Sequence, residues 1–175
     1  VPGFDSFAQT FVFVTPEDLT WERLRDALDR VVGRHGALRA RVVGSGEARQ
    51  LEVGAVGANA ADRLDRDERI GGQLNRWSTE KWQQHLREIA TDLAGTLDPA
   101  AGVVWRARWI TDSVSTTGRL VIVIHHLVVD GVSWRILADD LAVASSSDVR
   151  TPDVGLSIAG TGLVAWAQAL TSEAA

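Results

Sequence analysis

Leu120 to Ile124 is an unbroken apolar run, LVIVI, that ends in two histidines, His125 and His126. Five branched aliphatic residues without polar alternation suit a strand covered on both faces. Such a strand needs neighbours along its edges and layers above and below. The rest of the chain must therefore supply further strands and amphipathic helices in alternation.

The sequence has the pieces for that. Phe7 to Val14 (FAQTFVFV) is rich in aromatic and β-branched residues and predicts a buried strand. Thr20 is placed to cap a helix with Trp21, Leu24, Leu28, Val31 and Val32 on one face, ended by Gly33 and Gly36. Leu38, Ala40 and Val42 alternate with Arg39 and Arg41, which predicts a half-buried strand. Gly44-Ser45-Gly46 then turns the chain toward a hairpin partner at Gln50 to Val53. Residues 54–77 carry a charged run, Asp62 to Arg69, and read as a solvated excursion. Ser78 is placed to cap a second helix bearing Trp82, Leu86, Ile89 and Leu93, with Gly95 at its end. Val103, Trp105, Ala107 and Trp109 alternate with Arg106 and Arg108 as a further strand. Residues 111–118 form a polar loop before the LVIVI strand. A third helix is expected from Gly131, with Val132, Ile136, Leu137 and Leu141 as its apolar positions. A loop over 145–162 and a short helix around Leu163 to Leu170 close the chain. The expected class is α/β, a mixed sheet with helices packed on it.

Composition narrows the function. Lys and Arg number 18 against 23 Asp and Glu, a formal charge of -5, so there is no basic field for nucleic acid phosphates or anionic lipid. No apolar run approaches the roughly 18 residues of a membrane span. The 175 residues contain no cysteine, which excludes disulfides and thiolate chemistry and fits a reducing, cytoplasmic location. The chain starts Val1-Pro2-Gly3 and has no methionine, so it is expected to be a piece of a longer product. No phosphate-binding glycine loop or HExxH pattern occurs. Most of the seven Trp fall at core-facing spacings and read as packing.

The chemistry concentrates in His125-His126-Leu127-Val128-Val129-Asp130-Gly131. Imidazole is the side chain whose ordinary pKa allows proton transfer near neutrality. Successive strand residues face opposite sides, so one histidine is expected to point into the packing and the other toward a cleft. The same spacing argues against both binding one metal ion, and no third ligand is evident; no metal site is expected. Asp130 has a plain structural alternative, as N-cap of the following helix through the amide of Val132 or Ser133.

HHLVVDG matches the HHxxxDG motif and thereby resembles the condensation-domain superfamily of nonribosomal peptide synthetases, whose fold is similar to that of chloramphenicol acetyltransferase. Its continuation, HHLVVDGVSWRILADDLA (His125 to Ala142), resembles the form typical of epimerization domains. RHGALRARV (Arg34 to Val42), LDPAAGVVWRARWI (Leu97 to Ile110) and the Trp-centred segment Gly162 to Leu170 resemble further family segments. The long histidine motif is specific; the others are weak singly.

The resemblance implies that residues 1–175 form the N-terminal lobe of a two-lobed condensation- or epimerization-type domain. The first family segment and the C-terminal lobe would lie outside this chain, and the active site between the lobes. The implied reaction inverts the α-carbon of an aminoacyl or peptidyl thioester. The alternatives are amide formation by a condensation domain, or docking without chemistry. No cofactor is bound directly; the substrate rides on the phosphopantetheine of a carrier protein. The implied partners are that peptidyl carrier protein, the C-terminal lobe and neighbouring synthetase domains. His126 is implied to be catalytic, with His125 and Asp130 structural. Arg39 is the expected buried partner of Asp130, with Arg41 as fallback. Gly131 is expected to allow close backbone approach beside the histidine. Ser133 and Trp134 are expected to border the substrate cleft. A second acid/base group is implied outside this chain.

Overall fold

The LVIVI run becomes the interior of a four-stranded sheet because only there are both its faces covered. The computed structural model describes residues 7–57, 60–67, 76–111 and 117–146. The first strand, β1 (Ala8–Val14), leads to helix α1 (Trp21–Arg34), and a small hairpin of β2 (Ala40–Val43) and β3 (Gln50–Val53) follows. Next come β4 (Leu64–Asp67), α2 (Thr79–Ala94), β5 (Trp105–Ile110), β6 (Arg119–His125) and α3 (Gly131–Ser145). The main sheet has the order β1-β6-β5-β4. β6 runs antiparallel to both neighbours, and β4 runs parallel to β5. The expected mixed α/β architecture is therefore present.

Register assigns the faces. Gln9, Ile124 and Trp105 lie opposite one another across β1, β6 and β5, as do Phe13, Leu120 and Trp109. Leu120, Ile122 and Ile124 join a core with Leu24, Leu28, Val31 and Val32 of α1 and Trp134, Leu137 and Leu141 of α3. Val121 and Val123 face the other way and pack with Ile89 and Leu93 of α2. One strand thus anchors two helical layers, which is why Leu120 to Ile124 contains no polar residue.

The helix starts follow the sequence closely. Thr20 Oγ1 accepts from the Arg23 amide and Ser78 Oγ from the Lys81 amide. α1 passes through Gly33, ends at Arg34, and hands over to His35 as its C-cap.

Several expectations need correction. Among the described residues β1 is an edge strand, with Phe11 and Val14 exposed by 44% and 66% and Phe7, just before it, by 61%. Its aromatic and β-branched composition signals a strand but carries no information on which edge stays open. Gly36–Arg39 is a 3-10 turn, and the strand begins only at Ala40. The stretch expected to be a solvated excursion contains β4, in which Leu64 and Asp67 are buried; LDRD has one apolar residue and gives no alternation to read. In α3, Val132 and Ile136 are exposed, while Trp134, Leu137, Asp140, Leu141 and Ala144 turn inward. Several of the Trp pack as expected, with Trp105, Trp109 and Trp134 buried, whereas Trp21, Trp77 and Trp82 are not fully covered. The predicted loop over 145–162 begins two residues inside the described chain, where Ser145 still belongs to α3. Its remainder, and the predicted helix around Leu163 to Leu170, lie outside the described residues.

Candidate functional site

The two histidines separate as strand alternation requires. His125 is 1% exposed, its amide donates to Val104 O at 2.8 Å, and its Nδ1 accepts from the Leu127 amide at 3.1 Å. His126 is half-buried and lies just beyond the end of β6. Its amide donates to Phe7 O at 2.8 Å, which extends the β1–β6 pairing by one residue. The Phe7 ring stacks on the imidazole with centroids 4.7 Å apart.

The ring nitrogens of His126 have complementary partners. Nδ1 lies 2.8 Å from the Val129 carbonyl oxygen, which only accepts, so Nδ1 carries a proton. Nε2 lies 3.0 Å from Nε2 of Gln9, an amide nitrogen that only donates. The orientation of that amide is fixed by its other end. The indole nitrogen of Trp134 donates to Gln9 Oε1 at 2.7 Å, and an indole N–H has no acceptor role. In its neutral form His126 therefore carries its proton on Nδ1, with the Nε2 lone pair turned toward Gln9. Neutral imidazole in this form is a Brønsted base at Nε2.

Asp130 opens α3. Its carboxylate accepts from the Ser133 amide at 2.7 Å and the Ser133 hydroxyl at 2.6 Å. The Ser133 hydroxyl, then its amide, hold the Asp130 carboxyl below the usual carboxylate range, with a smaller contribution from the Val132 amide. The expected Asp130–Arg39 pair does not form. Arg39 instead donates to the carbonyls of Val32, Gly33 and Gly54, closing the turn that follows α1. Arg41, the fallback, pairs with Glu52 across the β2–β3 hairpin at 2.7 Å. The reason is local: Asp130 finds its partners within one helical turn, and Arg39 finds three carbonyls around its own turn.

The reason expected for Gly131 is also corrected. It is exposed, and a Cβ built there meets nothing within 4 Å among the described residues. Ser133 is engaged by Asp130. Trp134 is 4% exposed, stacks on Phe11 at 5.0 Å, and borders a groove of about 350 Å³ together with Phe11, Gly131, Arg135, Ala138 and Asp139. His126 is not among the residues lining that groove. Among the described residues no three His, Cys, Asp or Glu side chains converge as metal ligands, and no helix is long and apolar enough to cross a membrane.

The structure thus gathers His126, Asp130, Ser133 and Trp134 at one end of the sheet and leaves Arg39 tied elsewhere. Gln9, Phe7 and the Val129 carbonyl are not legible in the sequence as site members. One signal exists for Gln9: it is a lone amide between Phe7 and Phe11, on the face that the register shares with Ile124.

A family model described as the condensation domain matches residues 2–147. A linear gramicidin synthase of Brevibacillus parabrevis is 29% identical over 175 residues, covering 99% of this chain and 2% of that synthase. The crystal structure of the epimerization domain from the third module of tyrocidine synthetase B superposes with a TM-score of 0.76 at 23% identity. It covers 97% of this chain and 36% of that one. The structure describing condensation domain-mediated chain release from the enacyloxin polyketide synthase gives 0.71 at 21%, covering 98% of this chain and 30% of that one. The chain therefore spans a small fraction of its curated relative and about a third of each solved chain. The fold is the chloramphenicol acetyltransferase-like one of these neighbours. On the match across residues 2–147, the chain belongs to the condensation-domain family.

Proposed function

We propose that this chain is the N-terminal lobe of an epimerization domain, with His126 as one of its two acid/base groups. The observation that carries the reading is the pair of contacts at the His126 ring, Nδ1 against the Val129 carbonyl and Nε2 against the Gln9 amide nitrogen, which together favour a lone pair at Nε2. The VSWRIL continuation after Asp130-Gly131 favours epimerization among the reactions of the family.

The substrate class is an aminoacyl or peptidyl thioester on the phosphopantetheine arm of a carrier protein. A thioester carbonyl receives less donation from its heteroatom than an amide does, so the adjacent Cα–H is comparatively acidic. Nε2 of His126 takes that proton; the C–H electron pair moves into an enolate whose negative charge rests on the thioester oxygen. A donor must stabilise that oxygen. A proton returned to Cα on the opposite face completes inversion, and the group that returns it belongs to the second lobe. The carrier protein and neighbouring synthetase domains are the partners this reading requires.

Condensation is the second reading, favoured by the family model that matches the chain. There His126 would assist an acceptor amine in attacking the thioester. The test uses the complete two-lobed domain with its upstream carrier loaded with an L-amino acid. Release and chiral analysis should give a D/L mixture. Unchanged L-amino acid overturns epimerization, and a new amide with a loaded acceptor carrier establishes condensation. In deuterated water, His126→Ala should slow Cα exchange by about 10²-fold or more, the usual worth of a general base.

A further inference from the structure

We propose that Gln9, held by Trp134, is a positioning residue that sets the protonation pattern of His126 and covers its Nε2 until substrate arrives. The inference rests on the acid/base reading of His126 for its catalytic consequence, but the positioning itself stands on geometry alone.

Three elements build the arrangement. β1 places Gln9 opposite Ile124, two residues before the position of His126. α3 begins at the Asp130 cap, so its first turn brings Trp134 to the same end of the sheet. The tight link His126–Val129–Asp130 joins them. The resulting chain of hydrogen bonds has one consistent direction: Trp134 Nε1–H to Gln9 Oε1 at 2.7 Å, Gln9 Nε2–H to His126 Nε2 at 3.0 Å, and His126 Nδ1–H to Val129 O at 2.8 Å. Reversing any one link sets two donors or two acceptors face to face. Trp134 cannot reverse, because indole has only a donor, so it fixes the whole sequence. The aromatic stacks of Phe7 on His126 and Phe11 on Trp134 hold the ring planes.

Two consequences follow. In its neutral form His126 carries its proton on Nδ1, the tautomer that accepts a proton at Nε2. The lone pair is also occupied by a neutral donor, so an incoming Cα–H must displace the Gln9 amide, and a protonated Nε2–H would repel it. Gln9 thus favours the receptive state and is expected to turn aside in the charged one.

Gln9→Glu is the discriminating variant because it keeps the shape and exchanges the donor for an acceptor. One carboxylate oxygen still accepts from Trp134, and the other demands a proton on His126 Nε2. With Val129 O on the far side, both ring nitrogens must then be protonated. The measurement is ¹⁵N NMR of the complete domain labelled at histidine rings, with His126 assigned by its loss in His126→Asn. The wild type should show one pyrrole-type and one pyridine-type nitrogen for His126. Gln9→Glu should show two pyrrole-type nitrogens at the same pH, and Cα exchange should fall by about tenfold or more, because the base is already protonated. If Gln9→Glu does not fold, Gln9→Met serves: it removes the donor, and the pyridine-type resonance should move to its unbonded position. Trp134→Phe keeps the stack and frees the amide to turn, so the His126 resonances should split or broaden.

A wild-type His126 protonated at Nε2, or a pattern unmoved by the Gln9 variants, overturns the proposal; a pattern unmoved by Trp134→Phe overturns the part assigned to Trp134. If the pattern responds while the wild-type domain exchanges no α-proton, epimerization fails and the assignment of Gln9 stands.

Discussion

His35 Nε2 lies 2.6 Å from Asp140 Oδ2, which joins the turn after α1 to the inward face of α3. The Asp140 side chain is 3% exposed, so its carboxylate depends on hydrogen-bond partners supplied by the protein. α1 and α3 are the two helices covering the sheet face that ends in His126, and this bond sets their relation at a polar point inside an apolar contact. His35→Ala is expected to destabilise the domain by about 1–3 kcal/mol, the cost of leaving a buried acceptor short of a partner. Urea unfolding measures it, and an unchanged midpoint would show that the bond contributes nothing.

Arg39 and Asp130 are independent in this structure, although both belong to family-like motifs. Arg39 closes the turn after α1 through three carbonyls, while Asp130 caps α3. Arg39→Met is expected to cost about 1–3 kcal/mol for the lost charge-assisted bonds. Combined with Asp130→Asn, the two effects should add, as they do for sites without shared partners. A large coupling energy in the double-mutant cycle would restore the buried pair that the sequence suggests.

Legibility follows the length scale of the signal. Helix starts are readable because a cap and its amides lie within one turn: Thr20, Ser78 and the alternative offered for Asp130 all occur as caps. The LVIVI strand is readable because burial on both faces leaves no room for alternation. The separation of His125 from His126 follows from pleating alone. By contrast, β4 is hidden because only Leu64 and Asp67, at the two ends of a four-residue strand, are buried, and a buried Asp reads as a solvated one. The inward face of α3 is ambiguous because Val132 and Ile136 fit a helical period as well as Trp134 and Leu141 do. Gln9 escapes for a different reason: its partners, His126 and Trp134, are 117 and 125 residues away, and only the strand pairing brings them together.

Gly118 is required by crowding at the entry to β6. A Cβ there would lie 2.7 Å from Trp109 Nε1, 2.8 Å from Ile110 O and 2.8 Å from Thr15 Oγ1. Those atoms form a buried junction in which Thr15 Oγ1 accepts from both Trp109 Nε1 and the Gly118 amide. Two of the three obstacles are backbone or a hydrogen-bonded ring, so they have little freedom to move. Gly118→Ala is expected to cost about 1–3 kcal/mol or more through overpacking. It should also perturb the near-ultraviolet signal of Trp109, which thermal melts with tryptophan fluorescence would register; wild-type behaviour in both would contradict the crowding.

The cap on α3 should depend on pH with a definite sign. Ser133 holds the Asp130 carboxyl below its ordinary 3.8, so the folded state prefers the carboxylate more than the unfolded chain does. The unfolded state therefore binds the proton more readily on acidification, and stability falls with falling pH. The contribution is fully present above 3.8 and is lost as the pH drops through the depressed folded value. Other carboxylates titrate in the same range, so the useful quantity is the difference from Asp130→Asn, whose amide oxygen still accepts from Ser133 but carries no charge. Near neutrality the wild type should melt higher than Asp130→Asn, and the gap should close as the pH falls below 3.8. A gap that stays constant down to that range would mean that the charge on Asp130 adds nothing to the cap. The start of α3, and with it the placing of Trp134, would then rest on the hydrogen-bond geometry alone.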